Sequence, residues 1–349
     1  MTTLKDVARQ AKVSIATVSN VLNDNDNQVG IETKERVLKI IKDMNFKPSK
    51  IAKSLRTKKT HTIGIVVEDI TVFNTPEIIN GIGEHLEEQG YNMILNNLRI
   101  CQKIGNNFLD IEKFKENLST LIEFIHSRET DGVIYVGAHY RDVSGIANGI
   151  EKPIVYTYCY SEGDSSSWIN FDDEEAAYRV TEHLMGYGHK RIATITGKVN
   201  SIPCQERLKG YQRAIIDSKL LINPGYIKVG DWTYESGYEK AKELLLDQLP
   251  PTAIFAMNDL MAGGVIDAAR ELGLKIPEDL SLIGFDDREC SLYYLPKLTT
   301  VKIPLNDMGR LSAQVLVDTL KNEISVYQKL KLKCKLIERD SVSRAREST

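Results

Sequence analysis

The chain has 349 residues, is 42% hydrophobic and carries a formal net charge of −3, which excludes a disordered or low-complexity protein and predicts two or three domains with real cores. No apolar run is long enough to span a membrane and no signal-peptide-like segment is present, so we expect a cytoplasmic protein without a membrane partner. Residues 1–60 hold thirteen basic and six acidic residues, a balance of +7 against −10 for the remainder. This basic head indicates polyanion binding, although an ordinary solvated helical face gives the same count.

The first 47 residues show the pattern of three short helices. Thr3 and Asp6 form a capping-box-like start, which a short apolar stripe follows. Ser14 is a natural N-cap for a second helix, and an apolar stripe over 37–44 supplies a third, because two helices this short cannot form a core alone. The arrangement predicts a helix-turn-helix domain over 1–47, whose second helix enters the major groove of DNA. A generic three-helix packing module is the alternative.

The second predicted helix carries side chains that suit DNA. Ile15 and Ala16 can contact a thymine methyl group, and Asn20 can make two hydrogen bonds to adenine. Small hydroxyls near the helix starts suit phosphate oxygens, which fix the position of the protein without reading sequence. We therefore expect the following residues of the head to contact DNA: Thr3, Ser14, Ile15, Ala16, Thr17, Ser19 and Asn20.

A short basic segment, 48–60, follows the head. Lys50, Lys53 and Arg56 recur at every third residue and would share one helical face, with Leu55 as an apolar residue among them. A helix this short needs a partner, so we predict that it becomes ordered on DNA, with Leu55 wedged between base steps in the minor groove. A flexible linker that happens to be basic is the alternative.

Three segments, Thr3–Ala8, Val13–Asn23 and Pro48–Leu55, resemble the LacI/GalR family of transcription regulators in sequence, order and spacing. The resemblance extends over essentially the whole chain. It implies a homodimer that binds a pseudo-palindromic stretch of double-stranded operator DNA. Leu55 matches the leucine that the paired hinge helices of the family insert at the central base step. Asn20 stands where other members vary, so the operator sequence does not follow from the resemblance.

From Ile63 onwards the sequence alternates between short apolar runs and helix-like segments. This alternation predicts an α/β fold with parallel sheets covered by helices on both faces. Two sets of runs predict two doubly wound lobes, with the ligand crevice at the carboxyl ends of the strands. The predicted strands are 63–67, 92–95, 132–136 and 154–157 in the first set and 192–195, 226–229, 253–256 and 282–285 in the second.

The resemblance implies that residues 61–349 form a periplasmic-binding-protein-like domain that binds a small-molecule effector and mediates dimerisation. The segment 99–107 has no counterpart in the family and looks like a local insertion. We expect lobe 1 to comprise about 61–160 and 290–320, and lobe 2 about 161–289 and 321–340.

Several residues near the predicted strand ends have chemistry that suits a sugar. Trp232 offers a flat apolar face, Arg207 can hold two ligand hydroxyls or a carboxylate, and Asp286 can accept hydrogen bonds from paired hydroxyls. The structural alternatives are an ordinary half-buried tryptophan and an ion pair of Arg207 with Glu206 or a neighbouring residue. By resemblance, the positions that contact or lie near effectors in the family are Asn74, Thr75, Phe171, Arg207, Trp232, Asn258 and Asp286.

Three further residues have other interpretations. Asp259 is a candidate helix N-cap, and Asp287 is expected to be structural. Tyr158 stands at a strand end where members of the family often carry an aspartate.

The sequence has no nucleophile elbow, P-loop, complete dinucleotide fingerprint or metal-ligand cluster, so we expect no enzyme, no metal site and no cofactor. The pattern and the resemblance predict a DNA-binding transcriptional regulator, specifically a repressor, that a small sugar controls. A regulator controlled by a nucleobase or by a phosphocarrier-protein corepressor is the alternative. A soluble sugar-binding transport protein would share the body, but the basic head argues against it.

Overall fold

The computed structural model describes two compact units, Met1–His61 and Thr62–Thr349. The predicted hinge residues Lys50, Lys53, Leu55 and Arg56 lie outside the described residues, so their roles stay predictions. Among the described helices, none has both the length and the apolar character needed to cross a bilayer. The described residues are 3–22, 29–46, 59–104, 130–146, 150–162, 166–322 and 327–346.

The smaller unit contains three helices around a small apolar core. The helices are α1 (Leu4–Ala11), α2 (Ile15–Leu22) and α3 (Ile31–Asp43). The buried core residues are Val7, Ala8, Ala11, Val18, Val21 and Val37. Each helix therefore contributes to the core, as the three apolar stripes predict.

The starts of α1 and α2 are fixed by local side-chain hydrogen bonds. Thr3 forms the predicted capping box: its hydroxyl accepts from the Asp6 amide at 3.3 Å, and the Asp6 carboxylate accepts from the Thr3 amide at 3.0 Å. The Ser14 hydroxyl accepts from the Thr17 amide at 3.0 Å. The bonds to Thr3 and Ser14 satisfy backbone N–H groups in the first turns of α1 and α2, which have no partner within the helix.

The larger unit alternates between strands and helices along most of its length. Its strands are β1 (Thr62–Val67), β2 (Asn92–Asn97), β3 (Gly132–Val136), β4 (Ile154–Thr157), β5 (Ser167–Phe171), β6 (Ile192–Thr196), β7 (Ile227–Val229), β8 (Ala253–Ala256), β9 (Ser281–Ile283), β10 (Thr300–Lys302), β11 (Lys329–Leu332) and β12 (Lys335–Ile337). Its helices are α4 (Thr75–Glu88), α5 (Ile100–Ile104), α6 (Asp173–Gly186), α7 (Ile202–Asp217), α8 (Tyr234–Leu245), α9 (Asp259–Glu271) and α10 (Leu305–Leu320). All the predicted strands are present, and β5, β10, β11 and β12 are additional.

The strands form two parallel sheets, one in each lobe. The first sheet has the order β11–β5–β4–β3–β1–β2 and the second β7–β6–β8–β9, while β10 and β12 make a small antiparallel pair. In the first lobe α10 packs against α4 and against β3, β4 and β5. In the second lobe α6 packs with α7 and α8 with α9, and all four contact the central strands β6 or β8. The predicted doubly wound α/β architecture is confirmed.

The lobe boundaries differ from the expected ones. β5 pairs with β4, and β11 pairs with β5, so residues 167–171 and 329–332 belong to the first sheet rather than to lobe 2. Isolated bridges join residue 283 to residue 299 and residue 286 to residue 302, so β10 lies beside the second sheet. Of the segment 290–320, which we expected in lobe 1, only α10 lies there. Apolar parallel strands have the same sequence pattern in either sheet, so the pattern could not assign them.

The segment that sequence reasoning treated as an insertion is described as far as Ile104. Ile100 is fully buried, and its amide donates to the Glu68 carbonyl at 2.8 Å. The Cys101 amide donates to the Asp69 carboxylate at 3.2 Å. The beginning of this segment is therefore an integral part of the first lobe.

β2 lies at the edge of the first sheet, and its side chains are more exposed than those of the central strands. Met93, Ile94 and Leu95 are 45%, 37% and 40% exposed. Within the described part of the chain, β2 is therefore less covered than the expected sheet with helices on both faces. Consecutive exposed apolar side chains on an edge strand indicate a surface that another chain can cover.

Candidate effector and DNA sites

A cavity of about 280 Å³ lies in the larger unit where strands of both lobes end. Its residues follow the carboxyl ends of β1, β3 and β4 in the first lobe and of β6, β7, β8 and β9 in the second, which is where open parallel sheets bind ligands. The lining residues are Val72, Phe73, Ala138, His139, Tyr158, Lys198, Asn200, Ser201, Pro203, Arg207, Asp231, Trp232, Thr233, Asn258, Asp286 and Arg288.

Arg207 projects from α7 into the floor of the cavity and is 2% exposed. Its Nε donates to Asp173 Oδ1 at 2.6 Å, and its Nη1 donates to the Met257 carbonyl. Burial raises the pKa of Asp173 to about 6, although the Arg207 charge acts in the opposite direction. The expected structural partner, Glu206, instead pairs with Lys331 at 2.9 Å. Arg207 is thus held rigidly by a buried carboxylate behind the cavity.

Asp286 follows β9 and is 8% exposed. Its Oδ2 accepts from Arg288 Nε at 3.2 Å, and its Oδ1 lies 3.8 Å from Arg207 Nη1. Burial raises the pKa of Asp286, and the two guanidinium groups oppose that shift. Its φ of 109° is unfavourable for a residue with a side chain. A strained backbone that directs a carboxylate into a cavity is typical of a functional site, whereas Asp287 pairs with Arg339 at 2.6 Å and is structural.

Trp232 lines the cavity with its indole packed on the backbone of Gly197. A Cβ atom at position 197 would lie 2.0 Å from the indole ring, so only glycine allows this contact. Trp232 has a φ of 79°, and its carbonyl accepts from Asn258 Nδ2 at 2.9 Å. Across the cavity the ring centroid lies 6.4 Å from that of His139. The indole therefore has a fixed position, as a platform for a ring-shaped ligand requires.

Asn258 has both halves of its amide engaged by the protein. Besides the bond to Trp232, its Oδ1 accepts from the Met261 amide at 2.8 Å and caps α9. Asn258 is therefore the N-cap, and the interpretation of Asp259 as the cap is wrong. Asp259 accepts from the Thr300 hydroxyl at 2.5 Å and from the Arg288 amide at 2.7 Å. Asn258 lines the cavity chiefly as the residue that positions Trp232.

Two aromatic rings form successive layers on the first-lobe side. Tyr158 lines the cavity, and its ring stacks on that of Phe171 with centroids 5.7 Å apart and an interplanar angle of 15°. Phe171 is fully buried and is not among the lining residues. Phe171 therefore supports the wall from behind instead of touching the ligand, because Tyr158 occupies the position in front of it.

Asn74 and Thr75 are buried and are not among the lining residues. The Thr75 hydroxyl donates to the Asp69 carbonyl at 2.9 Å, and Asn74 Nδ2 points to the Gly137 carbonyl at 3.4 Å. The preceding residues, Val72 and Phe73, face the cavity instead. The expectation that Asn74 and Thr75 contact the effector is therefore not supported, because the turn into α4 directs these side chains inwards.

Among the cavity residues that the sequence analysis missed, four have an aromatic or basic side chain: Phe73, His139, Lys198 and Arg288. His139, Lys198 and Arg288 each lie two to five residues beyond the end of a strand, at β3, β6 and β9. Because ligands bind at the carboxyl ends of parallel strands, inspecting the residues after every predicted strand would have found these three.

The loop that carries His139 is held by a buried ion pair. Arg141 Nη1 and Nη2 each donate to the Glu68 carboxylate at 2.8 Å, and the Ala138 amide and the Tyr135 hydroxyl donate to the same carboxylate at 2.8 and 2.7 Å. Burial lowers the pKa of His139 to about 4, and the charges of Arg141 and Arg207 contribute to the shift. His139 is therefore a neutral imidazole in the cavity wall at pH 7.

Arg288 connects the two lobes across the cavity. Its guanidinium carbon lies 3.9 Å from the ring centroid of Phe73, which belongs to the first lobe. Its Nε is anchored on Asp286 of the second lobe. This cation–π contact depends on how close the lobes are, so it links the width of the cleft to the carboxylate in the site.

The head presents the predicted DNA-reading residues on one side of α2. Ile15 is 47% exposed and Ala16 is also exposed, while Thr17, Ser19 and Asn20 are half-buried. The Thr17 and Ser14 hydroxyls lie 2.9 Å apart, and the Thr3 hydroxyl donates to Asp6 at 2.6 Å. Ile15 and Ala16 are thus the most accessible of the expected contacts, and the hydroxyls already have partners within the head.

Comparisons with known proteins agree with this architecture. A family profile described as "Bacterial regulatory proteins, lacI family" matches residues 3–49, and one described as "Periplasmic binding protein-like domain" matches residues 181–342. The chain is 34% identical to the HTH-type transcriptional repressor PurR of Haemophilus influenzae (strain PittEE), over 98% of this chain and 99% of that protein. It is 32% identical to the ribose operon repressor of Haemophilus influenzae (strain ATCC 51907 / DSM 11121 / KW20 / Rd), with the same coverage.

Among solved structures, the lac repressor dimer bound to operator and the anti-inducer ONPF has a TM-score of 0.77 at 26% identity. The match covers 98% of this chain and 99% of that one. These relatives are transcriptional regulators and not enzymes, in agreement with the function predicted from the sequence. The chain belongs to the lacI family of bacterial regulatory proteins and is a DNA-binding transcriptional regulator.

Proposed function

We propose that this protein is a repressor that binds a pseudo-palindromic operator as a homodimer and that a small sugar, bound between the two lobes, controls its affinity for DNA. The observation that carries the proposal is the arrangement of Asp286 between Arg207 and Arg288, beside the fixed indole of Trp232. Carboxylate and guanidinium groups bind vicinal hydroxyls, and an indole face packs on the apolar face of a sugar ring.

A nucleobase is the second candidate effector. Similarity to repressors named PurR, at up to 34% identity, supports the nucleobase, and similarity to the ribose operon repressor, at 32%, supports the sugar less strongly. Phe73, Tyr158 and Trp232 give the cavity three aromatic side chains, which would also suit a flat heterocycle. The carboxylate of Asp286, flanked by two guanidinium groups, supports the sugar, because this set of acceptor and donors suits vicinal hydroxyls.

Two exposed apolar surfaces support the homodimer. One is the edge strand β2 with Met93, Ile94 and Leu95. The other follows β9, where Leu292, Tyr293 and Leu295 are 45%, 71% and 79% exposed. Apolar groups that are this exposed are costly in water and favour association. Sedimentation analysis of the purified chain tests the proposal, and a monomer at micromolar concentration would contradict it.

The proposed regulation is a coupling between cleft occupancy and DNA affinity. A coupling free energy of about 1–3 kcal/mol would change operator affinity roughly 5- to 150-fold. We expect Leu55→Ala to weaken specific DNA binding while sparing the salt-dependent nonspecific binding, because the wedge acts only when the hinge is ordered on its operator.

One experiment tests both parts of the proposal. Genomic fragments retained by the protein in a binding selection provide the operator, and footprinting with and without candidate effectors then measures the coupling. Ribose, glucose, galactose, hypoxanthine and guanine form the first panel. A change in protection with a sugar supports the proposal, and a response restricted to the purines would favour the second candidate.

A further inference from the structure

The two carboxylates that line the effector cavity already have protein donors. Asp286 accepts from Arg288 at 3.2 Å. Asp231 Oδ1 accepts from the amide and the hydroxyl of Thr233, at 3.0 and 2.6 Å. A ligand therefore competes with, or adds to, existing bonds at both acidic groups.

The cationic groups of the same wall keep unused donors. Arg207 uses Nε and Nη1 within the protein, and no hydrogen bond from its Nη2 to any described residue is present. Arg288 uses Nε on Asp286, and its terminal nitrogens stack over Phe73. A guanidinium group that is anchored through one edge presents its remaining N–H groups in a fixed direction, which suits an oxyanion.

Lys198 is the cation of this wall that has no neutralising partner in contact. It is exposed at the rim, between β6 and the N-terminus of α7. No carboxylate of a described residue lies within ion-pair distance of its ammonium group, whereas Asp173 contacts Arg207 and Asp286 contacts Arg288. The partial positive charge at the start of the sixteen-residue helix α7 adds to the charge of Lys198.

The pKa of His139, in the opposite wall, is lowered in part by these positive charges. Burial is the main cause of its lowered pKa, and Arg141, Arg207 and Lys198 all lower it further. Glu68 is the opposing charge, and it is already committed to Arg141. Burial opposes a charge of either sign, as the raised pKa of Asp286 in the same cavity shows. Arg207 and Lys198 further oppose a positive charge at His139, and they supply hydrogen-bond donors for an anionic group.

We infer that the effector is an acidic monosaccharide, a sugar phosphate or a sugar acid, whose anionic group binds Lys198 and the free guanidinium edges of the second-lobe wall. This inference rests on the proposed sugar effector. The cavity volume of about 280 Å³ is at the small end of the range for ligand sites and fits one sugar ring. The hydroxyls of such a ring would bind Asp286, and its apolar face would pack on Trp232.

The test compares matched neutral and anionic probes on the full chain by isothermal titration calorimetry. The pairs are glucose with glucose 6-phosphate, glucose with glucuronate, ribose with ribose 5-phosphate and galactose with galacturonate, and inorganic phosphate alone is included. We expect at least one anionic member to bind about tenfold or more tighter than its neutral partner, as a charge-assisted hydrogen bond supplies. Phosphates and carboxylates in separate arms distinguish the two classes of acid.

Lys198→Gln is the diagnostic variant, and Lys190→Gln is the matched control on an exposed lysine that does not line the cavity. We expect Lys198→Gln to reduce the anionic-to-neutral affinity ratio about tenfold and to weaken its dependence on salt. The control should leave the ratio unchanged. Equal thermal unfolding midpoints of both variants and the parent show that folding is intact.

The possible outcomes separate this inference from the proposed function. A neutral sugar that binds as tightly as its anionic partner overturns the inference and leaves the sugar effector standing. A panel in which no anionic member binds, or in which Lys198→Gln does not lower the ratio, also overturns it. Binding of hypoxanthine or guanine alone, added as a final arm, overturns both.

Discussion

The two walls of the effector cavity differ in chemistry. The first lobe contributes uncharged side chains, with His139 neutral: Val72, Phe73, Ala138, His139 and Tyr158. The second lobe contributes every charged lining residue: Lys198, Arg207, Asp231, Asp286 and Arg288. In the proposed function, the first wall would define the shape of the ligand, and the second would define which polar groups the ligand must carry.

The two walls also differ in what keeps them in place. Tyr158 rests on Phe171 through ring stacking, a contact that needs no compensating charge. Arg207 needs Asp173 behind it, because a buried charge without a partner is costly. Substitutions in the second wall should therefore affect folding and recognition together, and those in the first wall should have smaller effects.

The largest effect is expected for Arg207→Leu, which removes the central cation of the second wall. Asp173 would lose its only ion pair among the described residues, and breaking a buried pair costs about 3–5 kcal/mol. Because burial already raises the pKa of Asp173 to about 6, the loss should be larger at pH 8 than at pH 6, where the carboxyl takes up a proton. Urea unfolding at both pH values measures it.

The control for that variant is the double replacement Arg207→Leu with Asp173→Leu. Removing both charges should recover much of the lost stability, since no unpaired charge remains. A single variant that loses less than about 1 kcal/mol, the range of surface pairs, would show that the charged wall does not depend on its buried partner.

The next effect concerns recognition more than folding. Asp286→Asn keeps the shape of the second wall but removes its accepting charge, so we expect ligand affinity to fall about 100-fold, or near 3 kcal/mol. Calorimetry with the sugar that alters the footprint measures the loss. Asp287→Asn is the neighbouring control, because Asp287 pairs with Arg339 and does not line the cavity. Equal losses in both variants would remove Asp286 from the site.

The pH dependence of stability tests whether His139 in the first wall is uncharged. The pKa of His139 is lowered to about 4 in the folded protein, so between pH 6.5 and 4 the unfolded chain binds more protons than the folded one. The contribution of neutral His139 to the free energy of unfolding is therefore complete above about pH 6.5. It is lost as the pH falls, by about 2 kcal/mol at pH 5. Urea midpoints of the parent and His139→Gln, compared at pH 7.5 and 5, measure this term. Parallel pH profiles would contradict it.

The smallest effect is expected where the walls meet. Phe73→Leu removes the ring under Arg288, and the loss of this cation–π contact should cost about 0.5–1 kcal/mol. Phe73→Tyr keeps the ring and should retain the parent's stability. Thermal unfolding distinguishes the two variants, and equal destabilisation would mean that the shape of Phe73, and not its ring, stabilises the cleft.

Much of the fold could be predicted from the sequence because its signals are local. The capping box at Thr3, the N-cap at Ser14 and the continuous apolar strands of both lobes each follow from residues close in the chain. β11 joins the first sheet by pairing with β5, about 160 positions earlier in the chain, which no local pattern records. β5 joins it by pairing with β4, and an apolar run alone does not specify that partner. The lobe boundaries were therefore the part of the fold that differed.

The candidate site was predicted in part for the same reason. Arg207, Trp232 and Asp286 line the cavity because the ends of parallel strands converge there whatever the detailed packing. Phe171, Asn74 and Thr75 lie behind the wall, because a shift of one residue at a strand end or helix start turns a side chain away from the cavity. Such shifts depend on tertiary packing, which neither residue type nor resemblance specifies.

The contact between Gly197 and Trp232 has a consequence for how such a site changes during evolution. Any side chain at position 197 would occupy the space of the indole. A substitution at 197 therefore removes the platform, whereas replacement of Trp232 by a small residue releases the restriction on 197. The two positions should vary jointly among descendants of this protein, and libraries built to retarget it to a new effector should randomise them as a pair.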